Sequence, residues 1–183
     1  MKNLTLVGSF VALALTAFAP SIARADHALY AGVGAGFVDD FAGWNNCCAV
    51  HGHIQGEFGI HFDHEDTGFV LAFEGWGTFG PDYAGFTGGA RFGYDIEVHT
   101  DHSFQLILRP SGFVGFGLRD WAHDNRGPFG DLTLQPAFEG RFVFANRLIA
   151  LWLRPIAFDI MYWWEPGWFN VGYQFVGGID FQF

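Results

Sequence analysis

FNVGYQFVGGIDFQF, residues 169–183, divides into two faces when every second residue is taken. One set reads Phe169, Val171, Tyr173, Phe175, Gly177, Ile179, Phe181 and Phe183; the other reads Asn170, Gly172, Gln174, Val176, Gly178, Asp180 and Gln182. Side chains alternate across a strand, so this is the pattern of a β-strand with one apolar face and one polar or small face. Moving upstream, 84–98 sets Phe86, Ala90, Phe92, Tyr94 and Ile96 against Thr87, Arg91, Asp95 and Glu97, and 53–62 sets Ile54, Phe58, Ile60 and Phe62 against Gln55, Glu57 and His61. Helical spacing fits poorly. Carried along the chain, the alternation predicts eight strands near 28–37, 53–62, 68–79, 84–98, 104–117, 132–144, 148–160 and 169–183.

The connections predicted at one end are short (63–67, 99–103, 145–147), and those at the other are mostly longer (38–52, 118–131, 161–168), with 80–83 the short exception. An even strand number with short turns at one end and longer loops at the other is the plan of an all-β, eight-stranded, antiparallel, up-and-down transmembrane barrel. Each predicted strand is close to or beyond the roughly 9–11 residues that cross a bilayer at a tilt. Leu106-Ile107-Leu108-Arg109-Pro110, Leu132-Thr133-Leu134-Gln135-Pro136 and Leu151-Trp152-Leu153-Arg154-Pro155 share one pattern, with a proline inside each strand. Proline removes a ladder donor, so these are expected at bulges or kinks.

The N-terminus is of another kind. Lys2 precedes an apolar run from Leu4 to Phe18, Pro20 breaks it, and Ala23-Arg24-Ala25 carries small residues at the two positions a signal peptidase reads. Residues 1–25 are expected to be a secretory signal peptide and 26–183 the barrel domain. Without that segment the nine basic residues fall to seven, all arginine, against nineteen acids, a formal charge of −12. Such a chain has nothing to offset phosphate repulsion, so nucleic acid is excluded as a partner.

Charge is confined to one phase of the strands. Arg91, Arg109, Arg141 and Arg154 lie on it, with Glu57, Glu74, Asp95, Glu97, Glu139 and Asp180, whereas the apolar phase carries only Asp159. In a membrane barrel the apolar phase faces lipid and the charged phase fills a narrow lumen. Buried charges require partners, so Glu57, Glu74, Arg91, Arg109, Glu139, Arg141 and Arg154 are expected to form an ion-pair network there. The same residues would line a narrow channel if the lumen were open. Trp44, Trp76, Trp121, Tyr162-Trp163-Trp164 and Trp168 fall near predicted strand ends, where amphipathic rings form interfacial girdles.

In this architecture, and in the alternation of Tyr173, Phe175, Ile179, Phe181 and the terminal Phe183, the chain resembles the small eight-stranded outer-membrane barrels typified by the OmpA transmembrane domain and OmpX. The resemblance implies residence in the bacterial outer membrane. It also implies recognition of Tyr173, Phe175, Ile179, Phe181 and Phe183 by the barrel assembly machinery, and contact with outer-membrane lipids and lipopolysaccharide as a monomer. Because the sequence ends at Phe183, the periplasmic peptidoglycan-binding domain of some relatives is not expected. Members include adhesins, membrane stabilisers and lipid A enzymes, so the fold alone assigns no activity.

Catalysis is not expected, nor is a cofactor. An acyl-transfer enzyme needs a nucleophile beside a base, and after residue 25 the only serines are Ser103, in a turn, and Ser111, in a strand. His51, His53 and His123 fall at the outer end without a serine beside them. The expectation is an integral barrel whose outer segments, including Asp39-Asp40, Arg119-Asp120-Trp121 and His123-Asp124-Asn125-Arg126, serve surface stabilisation or binding; a lipid A-modifying enzyme is the alternative. Adjacent Cys47 and Cys48 sit too close for an unstrained disulfide and are readable as free thiols or metal ligands. His53 and His61 are about 26 Å apart along one strand, so they belong to opposite ends. At the inner rim, His61, His64, His99 and His102 stand among Asp63, Asp66 and Asp101. Imidazole with carboxylate suits zinc or copper, and the same residues suit plain solvated turns.

Overall fold

The computed structural model describes residues 29–42, 49–62, 68–81, 83–101, 103–121, 128–144, 148–164 and 167–183. Eight strands account for nearly all of them: β1 (Leu29–Ala42), β2 (Ala49–His61), β3 (Gly68–Gly80), β4 (Tyr83–Thr100), β5 (Gln105–Trp121), β6 (Phe129–Phe144), β7 (Ile149–Trp163) and β8 (Trp168–Gln182). Each pairs antiparallel with the next, and β8 returns to β1, so the sheet closes into a barrel. Closure matters energetically. A lipid-facing strand edge has no water to satisfy its N–H and C=O groups, and only a closed ladder removes the edge.

The two faces are inverted relative to a water-soluble sandwich. Phe73 is 75% exposed on the outer surface, accompanied by Phe69, Phe86, Phe92, Phe116 and Leu118. The inside holds Arg91, Arg109, Arg141 and Arg154, all essentially inaccessible. In β8 the inward set is Asn170, Gly172, Gln174, Val176, Asp180 and Gln182, as the alternation predicted.

Strand lengths depart from the sequence reading at one end, here called the upper end, which carries the 43–48, 81–82, 122–128 and 164–167 connections. β1 runs five residues past the predicted end, and β5 four. Asp39 pairs with Val50 and Asp120 with Ala84, so Asp39-Asp40 and Arg119-Asp120-Trp121 belong to strands and not to loops. The expected difference in connection length between the ends is largely absorbed by this extension. Alternation reports a difference between two faces; where polar residues appear on both, it fades although the hydrogen-bond ladder continues.

The prolines behave differently from one another. At Pro155 the β7–β8 register shifts between Arg154 and Ala157. Inward positions on β7 therefore change from Ala150, Trp152 and Arg154 to Ala157, Asp159 and Met161. Asp159, expected on the lipid phase, is consequently in the lumen, because the bulge consumes one residue and exchanges the faces. At Pro110 and Pro136 the register with both neighbouring strands continues; the ladder skips the proline on one side only. In all three Leu-Xaa-Leu-Xaa-Pro segments the residue before the proline points inward.

Trp76, expected at a rim, is buried inside against Phe113, with ring centroids 4.5 Å apart. It shares its phase with Ala72 and Glu74, which decides its direction. Trp152 is also lumenal, whereas Trp164 is exposed beside Phe116. Trp44 and the side chains of Trp121 and Trp168 lie outside the described residues, as do Cys47 and Cys48. Residues 1–28, which contain the expected signal peptide, do so too.

Glycine makes the narrow interior possible. A Cβ at Gly34 would lie 2.5 Å from the Trp152 ring, and one at Gly178, its partner in the β1–β8 ladder, would lie 2.4 Å from the same ring. Gly59 similarly lies under Tyr30, and Gly89 and Gly115 under Phe113. These three lumenal rings, Trp152, Tyr30 and Phe113, thus occupy room that only glycine leaves.

Candidate functional site

Four arginines on β4, β5, β6 and β7 project into the lumen and meet carboxylates from β2, β3, β4, β6 and β8. The strands supply them at alternate positions, so their direction follows from the pleat. Arg154 Nη1 lies 3.0 Å from Glu74 Oε1, and its Nη2 lies 3.0 Å from Glu139 Oε2. Arg141 Nη1 lies 2.7 Å from Glu139 Oε1, and its Nη2 donates to Asp180. Arg91 donates to Glu74 through Nε and Nη2, to Gln135, and to Ser111 Oγ at 3.0 Å. Arg109 grips Asp95 with two bonds of 2.5 and 2.8 Å and donates to the Tyr30 hydroxyl at 3.2 Å. Glu57 is held more loosely, 3.8 Å from both Arg141 and Arg154, and among the described residues its oxygens accept no hydrogen bond. The structure thus brings Glu57, Glu74, Arg91, Arg109, Glu139, Arg141 and Arg154 into one lattice, with Asp95 and Asp180 added.

Aromatic faces supply a second layer of support. The guanidinium carbons of Arg109 and Arg141 each lie 5.3 Å from the Tyr30 ring centroid, that of Arg154 lies 5.3 Å from Trp152, and that of Arg91 lies 5.6 Å from Phe113. A desolvated guanidinium over such a ring gains on the order of 2 kcal/mol. Tyr30 and these rings were not among the residues singled out from sequence; nothing in the alternation separates a ring that supports a charge from one that faces lipid.

Nearer the upper end, Arg119 pairs with Asp131 at 2.8 Å and donates to Thr87 Oγ1 at 2.7 Å. Continuing the inward phase of β5 from Arg109 through Phe113 reaches Arg119, so the sequence held this signal. Asp159 accepts from the Gln135 and Gln174 amides at 2.6 and 2.5 Å. Among the described residues, five buried arginines face seven buried carboxylates. The lumen is therefore acidic, and its field opposes anions.

The histidines of the expected inner-rim site have different surroundings. His61 is buried, its Nδ1 3.4 Å from Asp95 and its ring 5.1 Å from that of Tyr30. His99 is exposed, 3.8 Å from Asp101. His64 and His102 lie outside the described residues, among which no group of three or more potential ligands is arranged to hold a metal. Ser111 Oγ accepts a hydrogen bond from Arg91, and a guanidinium cannot serve as a general base.

In the β4–β5 turn, Asp101 Oδ1 accepts from the Ser103 hydroxyl at 2.7 Å and from the Ser103 and Phe104 amides at 2.6 and 3.0 Å. These bonds, the Ser103 hydroxyl foremost, hold the Asp101 carboxyl down at about 2. Because the folded value is depressed, the turn's contribution is complete above the ordinary carboxylate value and is lost as pH falls through about 2. A carboxyl-carbon NMR titration should show a midpoint near 2 for Asp101, rising towards the ordinary value in Ser103→Ala; an ordinary midpoint in the parent would contradict the turn geometry.

Tyr173, Phe175, Ile179, Phe181 and Phe183 all face outward on β8 or at its end. Phe175 stacks on Phe37 with centroids 5.5 Å apart, the Tyr173 hydroxyl donates to the Pro155 carbonyl, and the Phe183 amide donates to the Leu29 carbonyl at 2.8 Å. This aromatic run therefore borders the seam where β8 meets β1.

The sequence matches no family model and no curated protein. Among solved structures, the barrel is similar to the crystal structure of Neisserial surface protein A, with a TM-score of 0.58 and 12% identity over 85% of this chain and 97% of that one. It is also similar to the N-terminal β-barrel domain of Pseudomonas aeruginosa OprF, with a TM-score of 0.56 and 13% identity over 84% of this chain and 97% of that one. At these identities the likeness establishes the fold, a closed eight-stranded barrel of the outer-membrane type.

Proposed function

We propose that this chain is an integral, non-catalytic protein of the bacterial outer membrane. Its plugged barrel stabilises the envelope and presents its upper strand ends for binding at the cell surface. The supporting observation is the pairing of an aromatic outer surface with a lumen crossed by Arg154, which joins β3 to β7 through Glu74 and stands beside Glu139 of β6. An apolar belt requires lipid around it, and an eight-stranded barrel leaves room for little beyond its own side chains. The upper end is taken as the outer surface because the strands run past the alternating belt there. Lipids and lipopolysaccharide are the partners such a belt meets, and the assembly machinery is the partner the aromatic seam suits.

The test is electrical. Purified folded barrel in planar bilayers should give no steady single-channel conductance at neutral pH. Steady openings with cation preference would replace the plugged reading with that of a narrow acidic channel.

A further inference from the structure

The upper lumen carries two histidines above the arginine lattice. His51 and His53 stand at alternate positions of β2, so their side chains leave the same face with Cα atoms about 6.6 Å apart. Both are buried, at the end of the barrel opposite His61.

The tautomer of His53 is fixed by its neighbours. Gln55 Oε1 lies 3.3 Å from Arg154 Nη1 and 3.1 Å from His53 Nε2. A guanidinium only donates, so the Gln55 atom facing both groups is the oxygen. His53 Nε2 must then carry the proton, and the lone pair is on Nδ1. That Nδ1 is buried and has no hydrogen-bond partner among the described residues. A histidine whose remote N–H is anchored to an amide oxygen while its near nitrogen is an unused lone pair has the arrangement of a metal-ligating imidazole with its outer support.

The surroundings favour a cation. Asp39 acts electrostatically on His51, and its Oδ1 is buried without a hydrogen-bond partner among the described residues. Thr78 sits opposite His53 in the ladder, its hydroxyl also without one. His51 packs against Gly80, where a Cβ would come within 2.4 Å of its Nδ1. Arg119 and Arg154 act on His53 in the opposite sense, but each is engaged by carboxylates, Asp131 in one case and Glu74 and Glu139 in the other.

We infer that His51 and His53 form a two-imidazole site for a divalent transition metal at the upper mouth of the lumen, with solvent completing the coordination. With imidazole nitrogens as its ligands among the described residues, the site should bind copper(II) most tightly of the first-row divalent ions.

The experiment is a copper(II) titration of the full folded chain in detergent micelles, followed by calorimetry and electron paramagnetic resonance. The parent should bind with micromolar affinity and show hyperfine coupling to two imidazole nitrogens. The double variant His51→Asn/His53→Asn should lose one equivalent of copper, including when other sites on the chain bind. Gln55→Leu keeps both ligands but releases the tautomer, and should weaken the site about tenfold. His99→Asn, at the other end, should change nothing. Fold is checked in each variant by heat-modifiable migration, and Gln55→Leu carries the test if the double variant does not fold. Absence of saturable binding in the parent would overturn the site. So would an unchanged stoichiometry and spectrum in the double variant, undiminished affinity in Gln55→Leu, or loss of the signal in His99→Asn.

Discussion

Arg154→Ala is expected to destabilise the folded barrel by about 3–5 kcal/mol, the cost of stranding buried carboxylates. Arg154 lies 3.0 Å from Glu74 and 3.0 Å from Glu139, and 3.8 Å from Glu57, so one truncation removes a counter-charge from three acids. It also uncovers the Trp152 face on which the guanidinium rests. Urea unfolding in detergent micelles measures the loss. Replacing Glu57 by Gln as well should recover part of it, because that carboxylate would keep only Arg141 at 3.8 Å whereas Glu74 retains Arg91, and the coupling in that double-mutant cycle separates pairing from simple loss of volume. A cost below about 1 kcal/mol for Arg154→Ala, the range of exposed pairs, would mean that water reaches the lumen freely.

Phe183→Asp is expected to reduce folded, membrane-inserted barrel sharply while leaving export intact. Phe183 faces outward with Phe181 beside the β1–β8 seam, where its amide bonds to Leu29. A carboxylate there would remove an apolar ring from the closing strand and break the run of alternating aromatics proposed to be recognised during assembly. The amount of heat-modifiable protein in outer-membrane fractions, compared with unfolded protein in the periplasm, reads the effect. Equal folded amounts for parent and variant would remove Phe183 from any assembly role.

The fold was legible because two chemical demands coincide at period two. Lipid requires apolar side chains on one phase, and the lumen holds charge on the other, so Phe92 and Arg91 mark opposite faces although they are adjacent. The signal weakened wherever one demand lapsed. Past the belt, Asp39 and Asp120 read as loop though both lie in ladders. At Pro155 a single inserted residue exchanged the faces, and local alternation could not place Asp159. The arginines and glutamates of the lattice were visible as charges on one phase. Their partners were not, since Arg154 and Glu74 are eighty residues apart and meet only after closure. Trp76 reads as a rim residue, and Tyr30 and Trp152 carry no mark of their own, because an inward aromatic resembles an outward one; for Tyr30 and Trp152 the glycines beneath them are the signal.

That same cross-lumen pairing limits how the chain can change over evolutionary time. Barrels of this shape can in principle grow or shrink by whole hairpins, since each strand bonds only to its neighbours in the ladder. Here the charges ignore that modularity: β3 is tied to β7 through Glu74 and Arg154, and β6 to β8 through Arg141 and Asp180. Deleting β7 and β8 would strip Glu74 of Arg154 and Arg141 of Asp180, leaving Glu74 with Arg91 and Arg141 with Glu139. A descendant with six or ten strands must therefore rewrite its interior at the same step. Drift in this lineage should accordingly be freest at the strand ends and connections, and slowest among the inward charges.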